Sequence, residues 1–202
     1  MSQPTIAQSG GWNLGDLLFV GFDGTALNAG LESFFREVRP GGFILFKRNI
    51  TDPEQLLRLV SHLKSLTTPP PLIAVDEEGG QVSRLRSFAP TLPPAAKLAQ
   101  FSGTRPIREA AAALGRMLAS AGFDLDFAPV VDLCAPGAAN GIGDRSFGID
   151  PVRTAELAGA YLDGLADAGI LGCLKHFPGL GPTVADSHQQ LPTIQKNAEA
   201  FL

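Results

Sequence analysis

Five short apolar runs punctuate this chain, each followed by turn residues and most by a helix-period segment. They are Asp16 to Phe22 (DLLFVGF), Gly42 to Phe46 (GFILF), Leu72 to Val75 (LIAV), Phe123 to Phe127 (FDLDF) and Ile170 to Leu174 (ILGCL). Each is near the length of a strand and too short for a buried helix, so each is predicted as a strand. Between them, helices are predicted over Leu27 to Val38, from Pro53 onward, over Pro106 to Ala121 and over Thr154 to Ala168. The second has the clearest start, with Asp52 as cap, Pro53 at the first helical position and Gln55 three residues after the cap. Leu56, Leu59, Val60 and Leu63 then give it one apolar face. Gly122 and Gly169 stand where the third and fourth helices should stop. Residues 86–105, with Pro90, Pro93 and Pro94, read as a connection.

Uniformly apolar strands alternating with amphipathic helices imply a parallel sheet covered by helices, an α/β fold. Doubly wound sheets and (β/α)8 barrels both satisfy that pattern. In either, the C-terminal strand ends open on one face, where ligand sites form. The polar residues gather at those ends: Asp76 and Arg84 after the third strand, Asp132 after the fourth, Lys175 and His176 at the fifth. With no internal repeat and no low-complexity linker, the 202 residues read as one domain.

Composition narrows the function classes. The 45% apolar and 18% charged content is ordinary for a globular protein, and a net charge of −4 gives no electrostatic case for nucleic acid or an anionic membrane. No apolar stretch reaches the length of a membrane span, and the start lacks a secretory pattern, so a cytoplasmic location is expected. Cys134 and Cys173 match neither a metal-ligand spacing nor a disulfide framework and are expected to be buried small residues; no metal or cofactor is expected.

Several motifs have plainer readings. Gly21-Phe22-Asp23-Gly24-Thr25 has glycine where a phosphotransferase signature of the DxDGT type needs its nucleophile, so Asp23-Gly24 reads as a turn. Asn140 to Phe147 lacks the third glycine of a dinucleotide loop. Asp76-Glu77-Glu78 places like charges together, so at least one needs a cationic or hydroxyl partner, with Arg84 available; the plainer reading is a solvated acidic loop. Asp144-Arg145 can be a local surface ion pair of little energetic value. The segment from Leu174 to Pro192 (LKHFPGLGPTVADSHQQLP) is the densest in chemistry. A carboxylate beside an imidazole, as in Asp186-Ser187-His188, orients the ring and supports proton donation near neutral pH. A serine-hydrolase triad is excluded, because three consecutive residues cannot converge as a triad must.

Together, GGFILFKRNI, IAVDEEGGQVSRL, DFAPVVDL, GDRSFGIDP and LKHFPGLGPTVADSHQQLP resemble the N-terminal barrel domain of glycoside hydrolase family 3, in its β-N-acetylhexosaminidase branch. The resemblance runs from about Leu14 to the last residue and implies a (β/α)8 barrel of which this chain holds about the first five βα units. It implies that Asp76 holds sugar hydroxyls, that Arg84 supports that pocket, and that Arg145, Lys175 and His176 complete a subsite for N-acetylglucosamine. His188, paired with Asp186, is implied as general acid/base in a retaining, metal-free hydrolysis. The implied partner is a small carbohydrate, such as an oligosaccharide or a muropeptide of cell-wall recycling.

Two departures from the family pattern stand out. Leu180 replaces the histidine of the common PGHG loop, which should alter loop packing. The family's nucleophilic aspartate follows the Asp-Ser-His loop at a later strand end, and this chain's last residue is Leu202. The expectation is therefore a domain whose C-terminal part is missing, with no second domain, inactive alone. Asp76, Asp126 and Asp132 are the internal carboxylates that could otherwise serve as nucleophile. A non-catalytic sugar-binding protein and a β-glucosidase on the same domain are the alternative readings.

Overall fold

A computed structural model describes residues 13–135, 140–177, 179–180, 183, 191 and 193. Five parallel strands lie side by side in chain order: β1 (Phe19–Val20), β2 (Gly42–Leu45), β3 (Leu72–Val75), β4 (Leu125–Asp126) and β5 (Leu171–Gly172). The longer helices are α1 (Ala29–Val38), α2 (Pro53–Lys64), α4 (Arg105–Ser120) and α5 (Pro151–Asp167), with a short α3 (Ala95–Leu98).

This order separates the two architectures that the hydrophobic pattern left open. A doubly wound sheet reverses its strand order to put helices on both faces. Here every strand is added beside the last, so crossovers of one hand put their helices on one face. The sheet is an arc of the (β/α)8 type. The side chains of Phe43, Leu45, Ile73 and Val75 belong to one fully buried core with Phe35 of α1, Leu56 and Leu63 of α2, Leu118 of α4, and Leu157 and Leu165 of α5. On the other face, Phe19 and Phe127 meet edge to face at 5.7 Å. Gly42 makes room for that contact, since a Cβ there would run into the Phe19 ring. Leu18 and Phe19 at β1, with Leu171 and Leu174 at β5, are exposed.

Local chemistry accounts for the boundaries. Asp52 caps α2 by accepting the Gln55 amide at 2.9 Å, while the Gln55 side chain accepts from the Thr51 amide at 3.0 Å. That is one residue earlier than a capping box would reach. Asp150 caps α5 by accepting from Val152 and Arg153, so this helix starts three residues before the apolar pattern does. Gly122 and Gly169 hold left-handed φ of 84° and 76° where α4 and α5 stop.

The first predicted strand is shorter than expected. Leu14–Leu17 is a 3-10 turn capped by Asn13, and only Phe19–Val20 pairs with β2. The cause is a close approach of Gly15 to the 38–39 carbonyls, which bends the chain away from sheet geometry. Inside the proline-rich connection, Pro94 precedes the α3 turn that the pattern hides. Cys134 is buried as expected, but Cys173 is only half-buried. Among the described residues no helix is long and apolar enough to cross a membrane.

Candidate active site

The acidic triplet after β3 divides by the alternation of an extended chain. Glu77 turns inward. Its amide donates to Asp126 Oδ1 of β4 at 2.9 Å, and its carboxylate accepts the Arg84 and Leu85 amides at 2.6 and 3.2 Å. Glu77 therefore closes the loop that follows, and Gly79, at φ 93°, makes the turn possible. A Cβ on Gly79 would lie 2.7 Å from the Leu92 carbonyl oxygen. Asp76 and Glu78 point the other way, into a cavity of about 510 Å³ at the C-terminal strand ends.

Two cations meet these carboxylates from distant parts of the chain. Lys175, just after β5, places Nζ 2.7 Å from Asp76 Oδ1 and also pairs with Glu78 Oε1. Arg145, on a 3-10 turn before α5, grips Glu78 with two parallel bonds of 2.8 Å and donates to the Gly141 carbonyl at 2.9 Å. This fork fixes orientation as well as charge. Burial pushes the Glu78 carboxyl up, but Arg145 and Lys175 outweigh it and hold Glu78 below its ordinary value. Burial likewise lowers the Arg145 guanidinium, and Glu78 more than restores it.

Arg84 stands at the rim of this cluster. Its Nη2 is 3.6 Å from Asp76 Oδ2, its guanidinium lies 5.9 Å from the Phe46 ring centroid, and its buried Nε has no hydrogen-bond partner among the described residues. His176 completes the wall. Nδ1 is 2.6 Å from Asp132 Oδ2, while Nε2 lies 3.4 Å from Arg145 Nη2. Asp126 sits behind the cavity, fully buried with one oxygen unpartnered among the described residues, and burial raises its carboxyl well above the ordinary range.

The fold thus brings Asp76, Arg84, Arg145, Lys175 and His176 to one cavity. Asp186 and His188 lie outside the described residues. Two sequence readings change. The acidic triplet is no solvated loop, since Glu77 and Glu78 are both buried. Arg145 forms no local pair with Asp144; it reaches Glu78, 67 positions away, and the two side chains are only 10% and 6% exposed. Sequence reasoning gave Glu78 and Phe46 no role in the site. A strand-end position was the available signal for each.

Such a site can hold a polyhydroxylated ligand. Carboxylates accept from hydroxyls and cations donate to them, on groups already oriented by one another. Among the described residues no group of three or more His, Cys, Asp or Glu side chains is placed to hold a metal ion.

Known proteins share this arrangement of sequence and fold. The chain is 40% identical over 181 residues to a beta-hexosaminidase of Alkalilimnicola ehrlichii, covering 87% of this chain and 52% of that one. It is 45% identical over 162 residues to a beta-hexosaminidase of Thiobacillus denitrificans, covering 77% and 45%. The chain thus spans about half the length of these curated relatives. NagZ from Neisseria gonorrhoeae, solved in complex with N-trifluoroacetyl-D-glucosamine, superposes with a TM-score of 0.85 at 34% identity, over 91% of this chain and 56% of that one. The sequence profile of the glycosyl hydrolase family 3 N terminal domain matches residues 13–201, and the chain belongs to that family.

Proposed function

We propose that this chain supplies the sugar-holding part of a glycosidase that removes β-linked N-acetylglucosamine from oligosaccharides or muropeptides. The observation that carries the reading is the ion-paired cluster of Asp76, Glu78, Arg145 and Lys175 facing one cavity with His176. The names of the relatives and the glucosamine derivative bound to the gonococcal protein support the same substrate class.

In the proposed reaction Asp76 takes sugar hydroxyls, Arg84 supports that pocket, and Arg145, Lys175 and His176 complete the subsite. Asp186 orients His188, which protonates the leaving oxygen and then activates water for the second step. The route is a retaining double displacement with an aspartate as nucleophile. The described carboxylates near the cavity are otherwise engaged: Asp76 and Glu78 by cations, Asp132 by three N–H groups, and Asp126 by burial. We place the activity in the cytoplasm, in turnover of cell-wall fragments.

The test is release of nitrophenol from 4-nitrophenyl N-acetyl-β-glucosaminide, by this chain and by a version extended to the full length of its relatives. Turnover by the extended protein alone is expected. Turnover of the β-glucoside only would overturn the substrate assignment, and sugar binding without turnover of either would overturn the enzymatic one.

A further inference from the structure

We infer that Asp132 is a positioning residue that fixes which nitrogen of His176 faces the ligand and ties the Lys175-His176 strand end to the loop after it. The inference rests on reading the cavity as the sugar site only for its consequence, not for its geometry.

Asp132 follows β4 and its side chain is 1% exposed. Oδ2 accepts from the His176 backbone amide at 3.0 Å and faces Nδ1 at 2.6 Å; Oδ1 accepts from the Leu180 amide at 2.7 Å. Burial pushes the Asp132 carboxyl up, but the hydrogen bonds from the His176 ring and the Leu180 amide outweigh it and hold it below its ordinary value. An ionised carboxylate only accepts, so the proton between Asp132 and His176 belongs to Nδ1. The opposite ring nitrogen faces Arg145, a group that only donates, and Glu78 and the Gly141 carbonyl hold that guanidinium still. Nε2 therefore turns its one lone pair to Arg145 Nη2, across a long 3.4 Å contact at the cavity wall. Fixing a tautomer through the far nitrogen is a general use of a carboxylate–imidazole contact.

The consequence is chemical selectivity. His176 is about one-third exposed and lines the cavity as an acceptor. A ligand group that donates, a hydroxyl or amide N–H, can take that lone pair from the long Arg145 contact, whereas a carbonyl or phosphate oxygen cannot. Asp132 also sets the loop. The residue after Gly179 is held by the same carboxylate that holds His176, and its Leu180 side chain packs on Val130, Cys134 and Ile142. The leucine that replaces the family histidine thus has an apolar seat.

The chain has three histidines, His62, His176 and His188, so nitrogen-15 labelling of histidine in the full chain gives a spectrum simple enough to assign with His176→Gln. Without sugar, His176 should show a protonated Nδ1 and a pyridine-type Nε2. In Asp132→Asn that preference should collapse toward a mixture, and the Leu180 amide should exchange with solvent about tenfold faster or more, as expected when a charged acceptor is lost. Should Asp132→Asn not fold, the wild-type spectrum alone decides. A protonated Nε2 in the wild type, or an unchanged tautomer in a folded Asp132→Asn, overturns the proposal. Neither reading depends on sugar binding, so its failure is separate from failure of the glycosidase assignment.

Discussion

At Glu78 the balance between burial and pairing is clearest. A carboxylate this buried is costly alone, and two cations from distant segments, Arg145 and Lys175, make it stable as an anion. Removing one partner leaves an uncompensated charge. Arg145→Ala should therefore destabilise the fold by about 3–5 kcal/mol in urea titration, whereas a loss under about 1 kcal/mol would mean the pair is solvated like a surface one. Because pairing holds Glu78 and Asp132 below their ordinary values, the stability they add is present above the unfolded carboxylate range and disappears as pH falls through it. Asp126 works in the opposite sense. Its value is raised by burial, so the folded state favours the protonated form, and stability is lost as pH rises from the unfolded value toward the folded one. Asp126→Asn keeps an acceptor for the Glu77 amide and cannot ionise. Its Tm should match that of the wild type in acid and exceed it increasingly toward neutral pH, and a constant difference across pH would contradict a raised Asp126. Of the pairing at this site, the sequence offered only Arg84 as a cation for the acidic triplet, and Arg84 does lie 3.6 Å from Asp76. The residues were visible as polar groups at strand ends, but which carboxylate meets which cation depends on contacts spanning 67 and 99 positions.

Among the elements, the pattern was most legible where local and tertiary demands agree. Strand β3 and helix α2 begin where the apolar runs and the Asp52-Pro53 start place them. Legibility failed where close backbone approach decides, as at Gly15, and where a single turn such as α3 sits among prolines. The α4–α5 interface shows the same principle in a testable form. Gly164 lets α5 lie against α4, for an added Cβ would overlap the Arg108 carbonyl oxygen and come within 2.8 Å of Ala111 Cβ. Gly159, one and a half turns earlier, has nothing within 4 Å of such a Cβ. Gly164→Ala should cost about 1–3 kcal/mol by overpacking, while Gly159→Ala should gain about 0.5–1 kcal/mol from lower chain entropy. Urea midpoints moving in the same direction for both would show that the two helices do not pack this closely.

For the whole molecule, the fold explains why residues so far apart in sequence share one cavity. Parallel strands added in order aim every C-terminal end at the same side, so the exits of β3 and β5 contribute Asp76, Glu78, Lys175 and His176 to one wall, and the exit of β4 puts Asp132 behind His176. Membership of glycoside hydrolase family 3 gives that wall its chemical meaning, and the proposed substrate is a β-linked N-acetylglucosamine. In that reading the cluster holds this sugar. Isothermal titration of N-acetylglucosamine into the wild-type protein and into Asp76→Ala tests it most directly. Binding by the wild type is expected, with an affinity weakened by about tenfold or more in the variant, the worth of a hydrogen bond to a charged group. Absence of binding by the wild type, or equal affinity in the two, would contradict it.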